Sequence, residues 1–363
     1  MADPVNPTML INARFLTRQA TGVDRFAIEL LQAGMRSGLL PHAQAVVPAD
    51  ATLVTPAPRG MAVRHAGRHG GHRWEQFELP ALAAEAGDVP LVNLCNTAPL
   101  RHRRQIAVIH DAAAVANPQN YSFAFRQWYR VMIGSLMRRS RVIATVSRFS
   151  ADELARYFGA HHHGIEVIPE GGEHILRLPA DPTVFERLDL RGRRYVLAVG
   201  SQSLNKNFAA VLNAMSLIDD PDVVLVAAGG GNTRIFTDSA LQHERLQRTG
   251  YVSDQQLRAL YEGAACFVFP SFYEGFGLPP LEAMCCGCPV IVSDRASLPE
   301  VCADAALYCN PDDPATLAAQ LRRVLESSAL TDELRLRGHQ RAAQLTWDRA
   351  AREFTGLMDL HFA

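Results

Sequence analysis

The chain has 363 residues, longer than a single hydrophobic core usually grows, so we expect two domains. Its composition, 48% hydrophobic and 20% charged, is that of a globular protein, and a formal net charge of −1 argues against a nucleic-acid binder. Of the 36 residues that are lysine or arginine, Lys206 is the single lysine. A GC-rich genome that favours arginine would explain the shortage of lysine, but it would not explain why a lysine is kept at position 206.

The chain contains no run of 18 apolar residues, so no membrane-spanning helix is predicted. Its first residues do not form a basic region followed by an apolar run, so no secretory signal is predicted either.

Four of the seven cysteines lie close together in the sequence, at Cys285, Cys286, Cys288 and Cys302. Because such a cluster is a hazard in an oxidising compartment, we expect a cytoplasmic protein. The spacing does not suit zinc, so small buried residues are expected. The three histidines at 161–163 are expected in a solvated loop rather than at a metal.

Charge is divided unevenly between the two halves. Residues 1–180 hold 19 basic and 14 acidic residues and ten of the 13 histidines, whereas residues 181–363 hold 17 basic and 23 acidic residues. A basic half would suit an anionic partner such as a membrane surface or a phosphate-bearing acceptor. Solvated surface charge without any partner explains the same numbers equally well.

Short apolar runs alternate with amphipathic helices along the first half. Strands are predicted at 9–13, 91–94, 106–109, 142–145 and 167–168, and helices at 23–36, 121–139 and 147–158. Ser147 is the expected N-cap of the last of these helices. The stretch from Pro169 to Arg194 is rich in proline and glycine, so it is predicted to be a loop-rich domain linker.

The second half repeats the alternation. Strands are predicted at 195–199, 223–227, 265–269 and 290–292, and helices at 208–217, 255–263, 278–286, 314–326 and 331–345. Strands that alternate with helices predict parallel sheets covered on both faces, and therefore two doubly wound α/β domains. In such folds ligands bind beyond the carboxyl ends of the strands, and a cleft between the domains is the expected site.

The most informative segment joins a strand that ends at Phe269 to a helix that begins near Leu278, through a loop that holds Glu274 and two glycines. A helix N-terminus behind a glycine loop suits a phosphate group. Carboxylates do not bind phosphate, so Glu274 and Glu282 are expected to bind hydroxyls at either end of a diphosphate, as in a nucleotide-sugar. The alternative is an ordinary helix start whose acids are favoured by the helix dipole.

Glu274 and Glu282, with seven residues between them inside the run YEGFGLPPLEAM, resemble the E-x7-E signature of the family 4 (GT4) retaining glycosyltransferases. Further matches extend over nearly the whole chain, at 21–23, 108–111, 145–147, 250–253 and in the terminal helix from Trp347. The resemblance implies a GT-B fold, with two Rossmann-like domains facing across a cleft. It implies an acceptor domain over 1–175, a donor domain over 190–345 and a helix over 346–363 that crosses back to the first domain.

The resemblance also implies roles for individual residues. Glu274 would hold the donor sugar, Lys206 would neutralise the diphosphate leaving group and His110 would lie under the donor sugar, although His110 could equally be a strand-end histidine with satisfied hydrogen bonds. Glu282 would bind the ribose. The remaining donor-binding positions implied are Gly22, Ser201, Gly275, Phe276, Gly277, Leu278, Tyr251 and Val252.

One position departs from the family pattern. Many members pair an arginine with the lysine, and Ser201 stands at or near that place here. Neutralisation of the diphosphate is then expected to rest more on Lys206 and the helix N-terminus. An arginine of the first domain, such as Arg148, is one candidate to assist.

The resemblance implies transfer of a hexose from a nucleotide-sugar to a glycan or lipid-linked acceptor in bacterial surface polysaccharide synthesis. GDP-mannose is the leading donor, and a dTDP- or UDP-sugar is close behind. No cofactor and no metal are expected, because no Asp-x-Asp motif occurs where this chemistry would want one. Front-face transfer is favoured because no nucleophile is evident. Association with the inner face of the cytoplasmic membrane, through the basic first half, would fit a lipid-linked acceptor.

Two other classes remain open: a GT-B sugar-nucleotide epimerase and a non-catalytic sugar-nucleotide-binding protein. A phosphorylase of the same fold is not favoured. It needs a lysine that forms a Schiff base with its cofactor, and the single lysine, Lys206, already lies at the expected phosphate site. Release of nucleotide in the presence of an acceptor would distinguish a transferase from a binding protein.

Overall fold

The computed structural model describes residues 7–200, 203–229 and 244–362. The chain divides into two compact units, one formed by Met1–Glu170 with Trp347–Ala363 and the other by Gly171–Thr346. Each unit is built on one parallel sheet with helices between the strands, as the alternating sequence pattern predicts.

The first unit contains a seven-stranded parallel sheet. Its strands are β1 (Met9–Asn12), β2 (Ala43–Pro48), β3 (Ala62–Ala66), β4 (Leu91–Asn93), β5 (Gln105–Val108), β6 (Val142–Thr145) and β7 (Glu166–Val167). They lie in the order β3-β2-β1-β4-β5-β6-β7. The strand order reverses between β1 and β4, which pair Leu10 with Leu91, so their carboxyl ends form the switch point where ligands bind in such folds.

Six helices of the first unit precede the second unit in the chain. They are α1 (Gly22–Arg36), α2 (Gly71–Arg73), α3 (Leu79–Glu85), α4 (Ala113–Ala116), α5 (Phe123–Arg139) and α6 (Arg148–Phe158), with a π-helical turn, Trp74–Glu78, between α2 and α3. Helix α1 begins at a capping box formed by Thr21 and Asp24. The predicted cap of α6 is confirmed, since the Ser147 hydroxyl accepts a hydrogen bond from the Ser150 amide.

The second unit contains a six-stranded parallel sheet. Its strands are β8 (Tyr195–Val199), β9 (Val224–Ala228), β10 (Leu246–Gly250), β11 (Cys266–Phe269), β12 (Val290–Ser293) and β13 (Ala306–Cys309), in the order β10-β9-β8-β11-β12-β13. The helices of this unit are α7 (Thr183–Arg187), α8 (Phe208–Ser216), α9 (Asp254–Gly263), α10 (Leu278–Cys285), α11 (Leu298–Cys302), α12 (Pro314–Glu326) and α13 (Ser328–Ala342). The chain then returns to the first unit as helix α14 (Trp347–Phe362).

The structure adds to or corrects the sequence-based prediction at three places. The strands β2, β3, β10 and β13 were absent from the prediction. The loop-rich stretch predicted over 169–194 also contains α7 and the 3-10 turn Glu173–Leu176. His161 is not in a solvated loop position, because its side chain is buried and its ring nitrogens contact the carbonyls of Ser140 and Gly164.

The seven cysteines are all free, and five of them are buried. Burial raises the pKa of Cys285 to about 12, so this thiol stays protonated at neutral pH. This agrees with the expectation of small buried residues. Among the described helices, none is long and apolar enough to cross a membrane.

Candidate active site

The second sheet has its switch point between β8 and β11, and a predicted site residue follows each of these strands. Lys206 lies beyond the end of β8 and Glu274 beyond the end of β11. The Lys206 Nζ donates a hydrogen bond to Glu274 Oε1 at 2.7 Å, and it lies 4.6 Å from the centroid of the Phe269 ring. The structure therefore brings together the two residues to which the sequence assigns leaving-group and sugar contacts.

The loops that carry Lys206 and Glu274 are fixed to each other and to the next helix. The Phe272 amide donates to the Asn205 carbonyl at 2.8 Å, which joins the two loops directly. The buried Ser297 hydroxyl lies 3.0 Å from the Glu274 carbonyl and 2.6 Å from the Phe276 carbonyl. Ser297 was not singled out by its sequence, because a lone serine between two strands carries no motif.

Gly277 forms the junction between this loop and α10. Its φ of +110° lies in the left-handed region, and a Cβ on it would lie 2.7 Å from Leu298 Cδ2, so only glycine fits without a shift. Pro279 and Pro280 follow in the first turn of the helix and have no N–H group. The two prolines contribute no amide donor to the first turn of α10.

Glu282 lies inside α10 with its carboxylate held by two side chains. His174 Nε2 donates to Oε1 at 2.8 Å, and the Tyr261 hydroxyl donates to Oε2 at 3.1 Å. Burial, followed by the charge of Glu282, raises the pKa of Tyr261 well above its usual value, so this hydroxyl remains a donor. Each carboxylate oxygen of Glu282 thus accepts a hydrogen bond from a protein side chain, which fixes its orientation in the helix.

Tyr251 and Val252 follow β10, just before Ser253 caps helix α9. The Tyr251 side chain is 73% exposed, and Val252 is partly buried. Ser201, the position where many relatives of the family carry an arginine, lies outside the described residues.

His110 and Gly22 belong to the first unit. His110 is buried at the end of β5, where its Nε2 lies 2.9 Å from the Leu94 carbonyl and its Nδ1 lies 3.7 Å from Glu170 Oε1. The ring also packs edge-on against Phe26 of α1, the helix that Gly22 begins, at a centroid distance of 4.9 Å. Protein groups thus hold the His110 ring in place, as the alternative interpretation of a satisfied histidine requires.

The described part of the chain contains no cluster of three or more histidine, cysteine or acidic side chains that would suit a metal ion. At the switch point of the second sheet, Lys206 and Glu274 form an ion pair, with 2.7 Å between Nζ and Oε1.

Two Rossmann-like parallel sheets, one in each unit, are the architecture of the GT-B fold. A solved structure of the same fold is Anabaena Alr3699/HepE in complex with UDP and glucose, with a TM-score of 0.75 and 17% identity over 97% of this chain and 99% of that chain. The family described as "Glycosyl transferases group 1" matches residues 182–344.

The chain is 30% identical over 261 residues to the O-antigen chain mannosyltransferase B of Escherichia coli, which covers 69% of this chain and 68% of that protein. It is 27% identical over 264 residues to the serotype-specific mannosyltransferase WbdA of Escherichia coli, covering 68% of this chain but only 32% of WbdA. The chain therefore belongs to the group 1 glycosyl transferase family and is a hexosyltransferase. The predicted family and fold class are confirmed.

Proposed function

We propose that this protein transfers mannose from GDP-mannose, with retention of configuration, to a glycan or lipid-linked acceptor in bacterial surface polysaccharide synthesis. The similarity to two mannosyltransferases supports the sugar and the acceptor class. The observation that carries the proposal is the Lys206–Glu274 pair at the switch point of the second sheet, in the loops that precede helix α8 and helix α10.

We assign recognition of the diphosphate leaving group to Lys206 and recognition of the sugar to Glu274. Departure of a nucleoside diphosphate builds negative charge, and a positioned ammonium group stabilises that charge as it develops. The ion pair with Glu274 keeps the flexible lysine side chain at the site before a diphosphate enters. When the diphosphate binds, Lys206 turns to the phosphate oxygens, and Glu274 accepts hydrogen bonds from the sugar hydroxyls.

Glu282 is the proposed ribose ligand. Its hydrogen bonds from His174 and Tyr261 hold the carboxylate in one orientation, which lowers the entropy lost when a ribose hydroxyl binds. His174 and Tyr261 thereby act as positioning residues for the nucleotide.

Transfer on the front face of the sugar is proposed, with the leaving phosphate accepting the proton of the acceptor hydroxyl. No nucleophile is evident among the described residues of the site, because we assign Glu274 to the sugar hydroxyls and Glu282 to the ribose. We propose that the enzyme needs no metal, because an ammonium group and backbone amides supply the positive charge.

A peripheral location at the inner face of the cytoplasmic membrane is part of the proposal. Several exposed arginines of the first unit make no ion pair with a carboxylate within the described ranges: Arg101, Arg103, Arg138 and Arg139. Such arginines attract anionic lipid headgroups at low ionic strength. Co-flotation with vesicles that contain anionic lipid, lost at high salt, is the expected result.

A thermal-shift panel of GDP, UDP, dTDP and ADP tests the donor. A nucleotide at about 100 times its Kd stabilises the folded state by about 2.7 kcal/mol, and we expect the largest shift with GDP. A larger shift with UDP or dTDP would reassign the donor, and UDP is included because a protein of the same fold binds it.

Incubation with GDP-mannose and an oligosaccharide acceptor tests the reaction. The expected result is GDP release that depends on the acceptor, with an α-linked mannose in the product. Conversion of the nucleotide-sugar to its epimer, without net release of nucleotide, would instead identify an epimerase, and binding without turnover would identify a binding protein.

A further inference from the structure

The ammonium group of Lys206 has a second neighbour besides Glu274. Its Nζ lies over the ring of Phe269, 4.6 Å from the ring centroid, while Glu274 Oε1 accepts its hydrogen bond at 2.7 Å. A lysine ammonium within about 6 Å of an aromatic ring centroid is attracted by the negative face of the ring. Two protein groups of different chemistry therefore hold the same cation.

The Phe269 ring is held in place by the second sheet. Phe269 is the last residue of β11, it is 2% exposed, and its ring stacks on that of Phe267 with the centroids 5.8 Å apart. Because buried side chains are closely packed, this ring has little freedom to move away from Lys206. Phe269 thus offers a fixed aromatic face at the switch point between β8 and β11.

The backbone and the methylene groups of Lys206 are fixed as well. Lys206 ends the 3-10 turn Leu204–Lys206, and the next residue, Asn207, has a left-handed φ of +51° and donates from its side chain to the Pro311 carbonyl at 2.7 Å. The methylene groups lie beside Gly200, where an added Cβ would be 3.5 Å from Cγ, Cδ and Cε of Lys206. The side chain is 23% exposed, so its ammonium is partly withdrawn from water, which strengthens the attraction to the ring.

Glu274 and Phe269 act on the ammonium in different ways. A carboxylate neutralises the positive charge and occupies one of the three N–H donors of a lysine. An aromatic face attracts the ammonium without cancelling its charge, and it leaves the donors for phosphate oxygens. In the proposed function Glu274 turns to the sugar hydroxyls when the nucleotide-sugar binds, whereas the buried ring of Phe269 stays in the sheet. The ring contact is therefore the one that can persist during transfer.

We propose that Phe269 is a positioning residue for Lys206, and that its ring holds the ammonium at the leaving group while Glu274 binds the sugar. The inference rests on the proposed function, since that function assigns Lys206 to the departing diphosphate. In this role Phe269 acts through Lys206 and keeps the positive charge in place as negative charge develops on the phosphate.

The single lysine allows the contact to be observed by NMR without any turnover. In protein labelled with ¹³C-lysine, all lysine side-chain signals come from Lys206. Protons above an aromatic face resonate upfield, so we expect the Hε signals of Lys206 upfield of those of free lysine. We expect this shift to be retained in Glu274→Gln and lost in Phe269→Leu.

The same signals are recorded with the nucleoside diphosphate that gives the largest thermal shift among GDP, UDP, dTDP and ADP. The upfield shift of Lys206 Hε is expected to persist when this diphosphate is bound. The proposal is overturned by an unshifted signal in the wild type, by a shift that disappears on binding, or by a shift that remains in Phe269→Leu.

A double-mutant cycle separates the positioning role from a purely structural one. Phe269→Leu keeps an apolar side chain and removes the aromatic face, and we expect it to lower kcat about 2- to 30-fold, the range that cation–π attraction spans. In a Lys206→Ala background no ammonium is left to position, so the same substitution is expected to leave the residual kcat unchanged. An equal loss in both backgrounds, or no loss in the wild type, overturns the proposal.

Val268→Ala is the matched control for a loss of stability. Val268 precedes Phe269 in β11, is 1% exposed and belongs to the hydrophobic core on the opposite face of the sheet. We expect Val268→Ala to lower the Tm, as Phe269→Leu does, and to leave kcat unchanged at a temperature where both variants are folded. A fall in kcat equal to that of Phe269→Leu would show that destabilisation alone explains the effect.

The proposed function and this inference fail in different ways. Absence of hexose transfer would remove the proposed function, while the NMR signals of Lys206 would still report its contact with Phe269. Hexose transfer by the wild type, with equal effects of Phe269→Leu in both backgrounds, would remove the positioning role and leave the proposed function standing.

Discussion

Lys206 is the residue on which the proposed chemistry depends most. It is the single lysine in a chain whose other basic side chains are arginines, and it lies 2.7 Å from a carboxylate that the sequence also marks as functional. An ammonium group is a compact point charge, whereas a guanidinium is planar and forked, so the two are not equivalent at a phosphate. The surviving lysine thus agrees with the motif, although genomic bias explains the scarcity of the others.

Replacement of this lysine is expected to remove leaving-group stabilisation. We expect Lys206→Ala to lower kcat about 10²- to 10³-fold, the range seen when one donor to a developing anion is lost. Far-ultraviolet circular dichroism should be unchanged, because Lys206 is near the surface of its unit. Lys206→Arg keeps the charge and is expected to recover part of the rate, while near-wild-type turnover in Lys206→Ala would refute the assignment.

Glu75 gives the fold a defined dependence on pH. Burial by itself would raise its pKa, but hydrogen bonds from His72, Asn12 and Thr97 and the charge of Arg14 lower it to about 2. Because the folded-state pKa is below the ordinary value of 4.5, the ionised carboxylate stabilises the fold above that value. This stabilisation, about 3 kcal/mol from the shift, is lost as the pH falls from about 4.5 toward 2.

Urea unfolding of the wild type and of Glu75→Gln from pH 7 to pH 3 measures this effect. The difference in unfolding free energy between the two proteins is expected to be largest near neutrality and to shrink below pH 4.5. A difference that does not change with pH would show that Glu75 contributes only through packing.

At the scale of elements, the central strands were recognised and the peripheral ones were not. Strands β3, β10 and β13 are the edges that the prediction missed, and each carries partly exposed positions. An edge strand pairs on one side only, and β3 and β10 keep polar residues, so these two lack the continuous apolar run that marks a buried parallel strand, whereas β13 is apolar throughout but only four residues long. The missing fourth strand, β2, lies directly beside such an edge.

The site was predictable where it follows from a local motif. The loop and helix around Glu274 and Glu282 are contiguous in sequence, and β11 and α10 lie where the pattern predicts them. The hydrogen bond from His174 to Glu282 joins residues 108 positions apart. Sequence periodicity does not indicate a contact between residues so far apart in the chain. His174 lies in a stretch rich in glycine and proline, where no regular pattern marks it as a partner of Glu282.

The start of α10 can be tested by a pair of glycine substitutions. Gly277→Ala places a Cβ 2.7 Å from Leu298 at a φ of +110°, so we expect a loss of about 1–3 kcal/mol in stability, together with weaker nucleotide binding. Gly356→Ala in helix α14 is the control, since no atom lies within 4 Å of its added Cβ, and its stability is expected to stay equal or to rise. Differential scanning calorimetry compares the two, and equal melting temperatures would contradict the role of Gly277.

At the scale of the whole molecule, the chain ends in the unit where it begins. Helix α14 packs on α1, and Trp347 and Phe354 are fully buried, with the Trp347 ring 6.0 Å from that of Phe26. The C-terminal helix is therefore part of the first hydrophobic core, although the whole second unit separates it from α1 in sequence.

Removal of the Trp347 side chain is expected to destabilise the first unit in particular. Trp347→Ala should cost about 3–5 kcal/mol, the usual penalty for deleting a buried aromatic ring, and hydrogen exchange should accelerate in α1. Leu360→Ala, at a site 72% exposed on the same helix, is expected to change neither. Unchanged exchange in α1 of Trp347→Ala would mean that α14 is not integral to that core.

Protection of Lys206 from chemical labelling tests the central claim most directly, because no other lysine in the chain competes for the reagent. Acetylation of Lys206 is followed by mass spectrometry with and without saturating GDP, UDP, dTDP or ADP. The site described here predicts that at least one nucleoside diphosphate slows the labelling at least tenfold, and that the corresponding nucleoside does not. If none of the four nucleoside diphosphates changes the labelling rate of Lys206 from its rate without nucleotide, the placement of the leaving group beside Lys206 is contradicted.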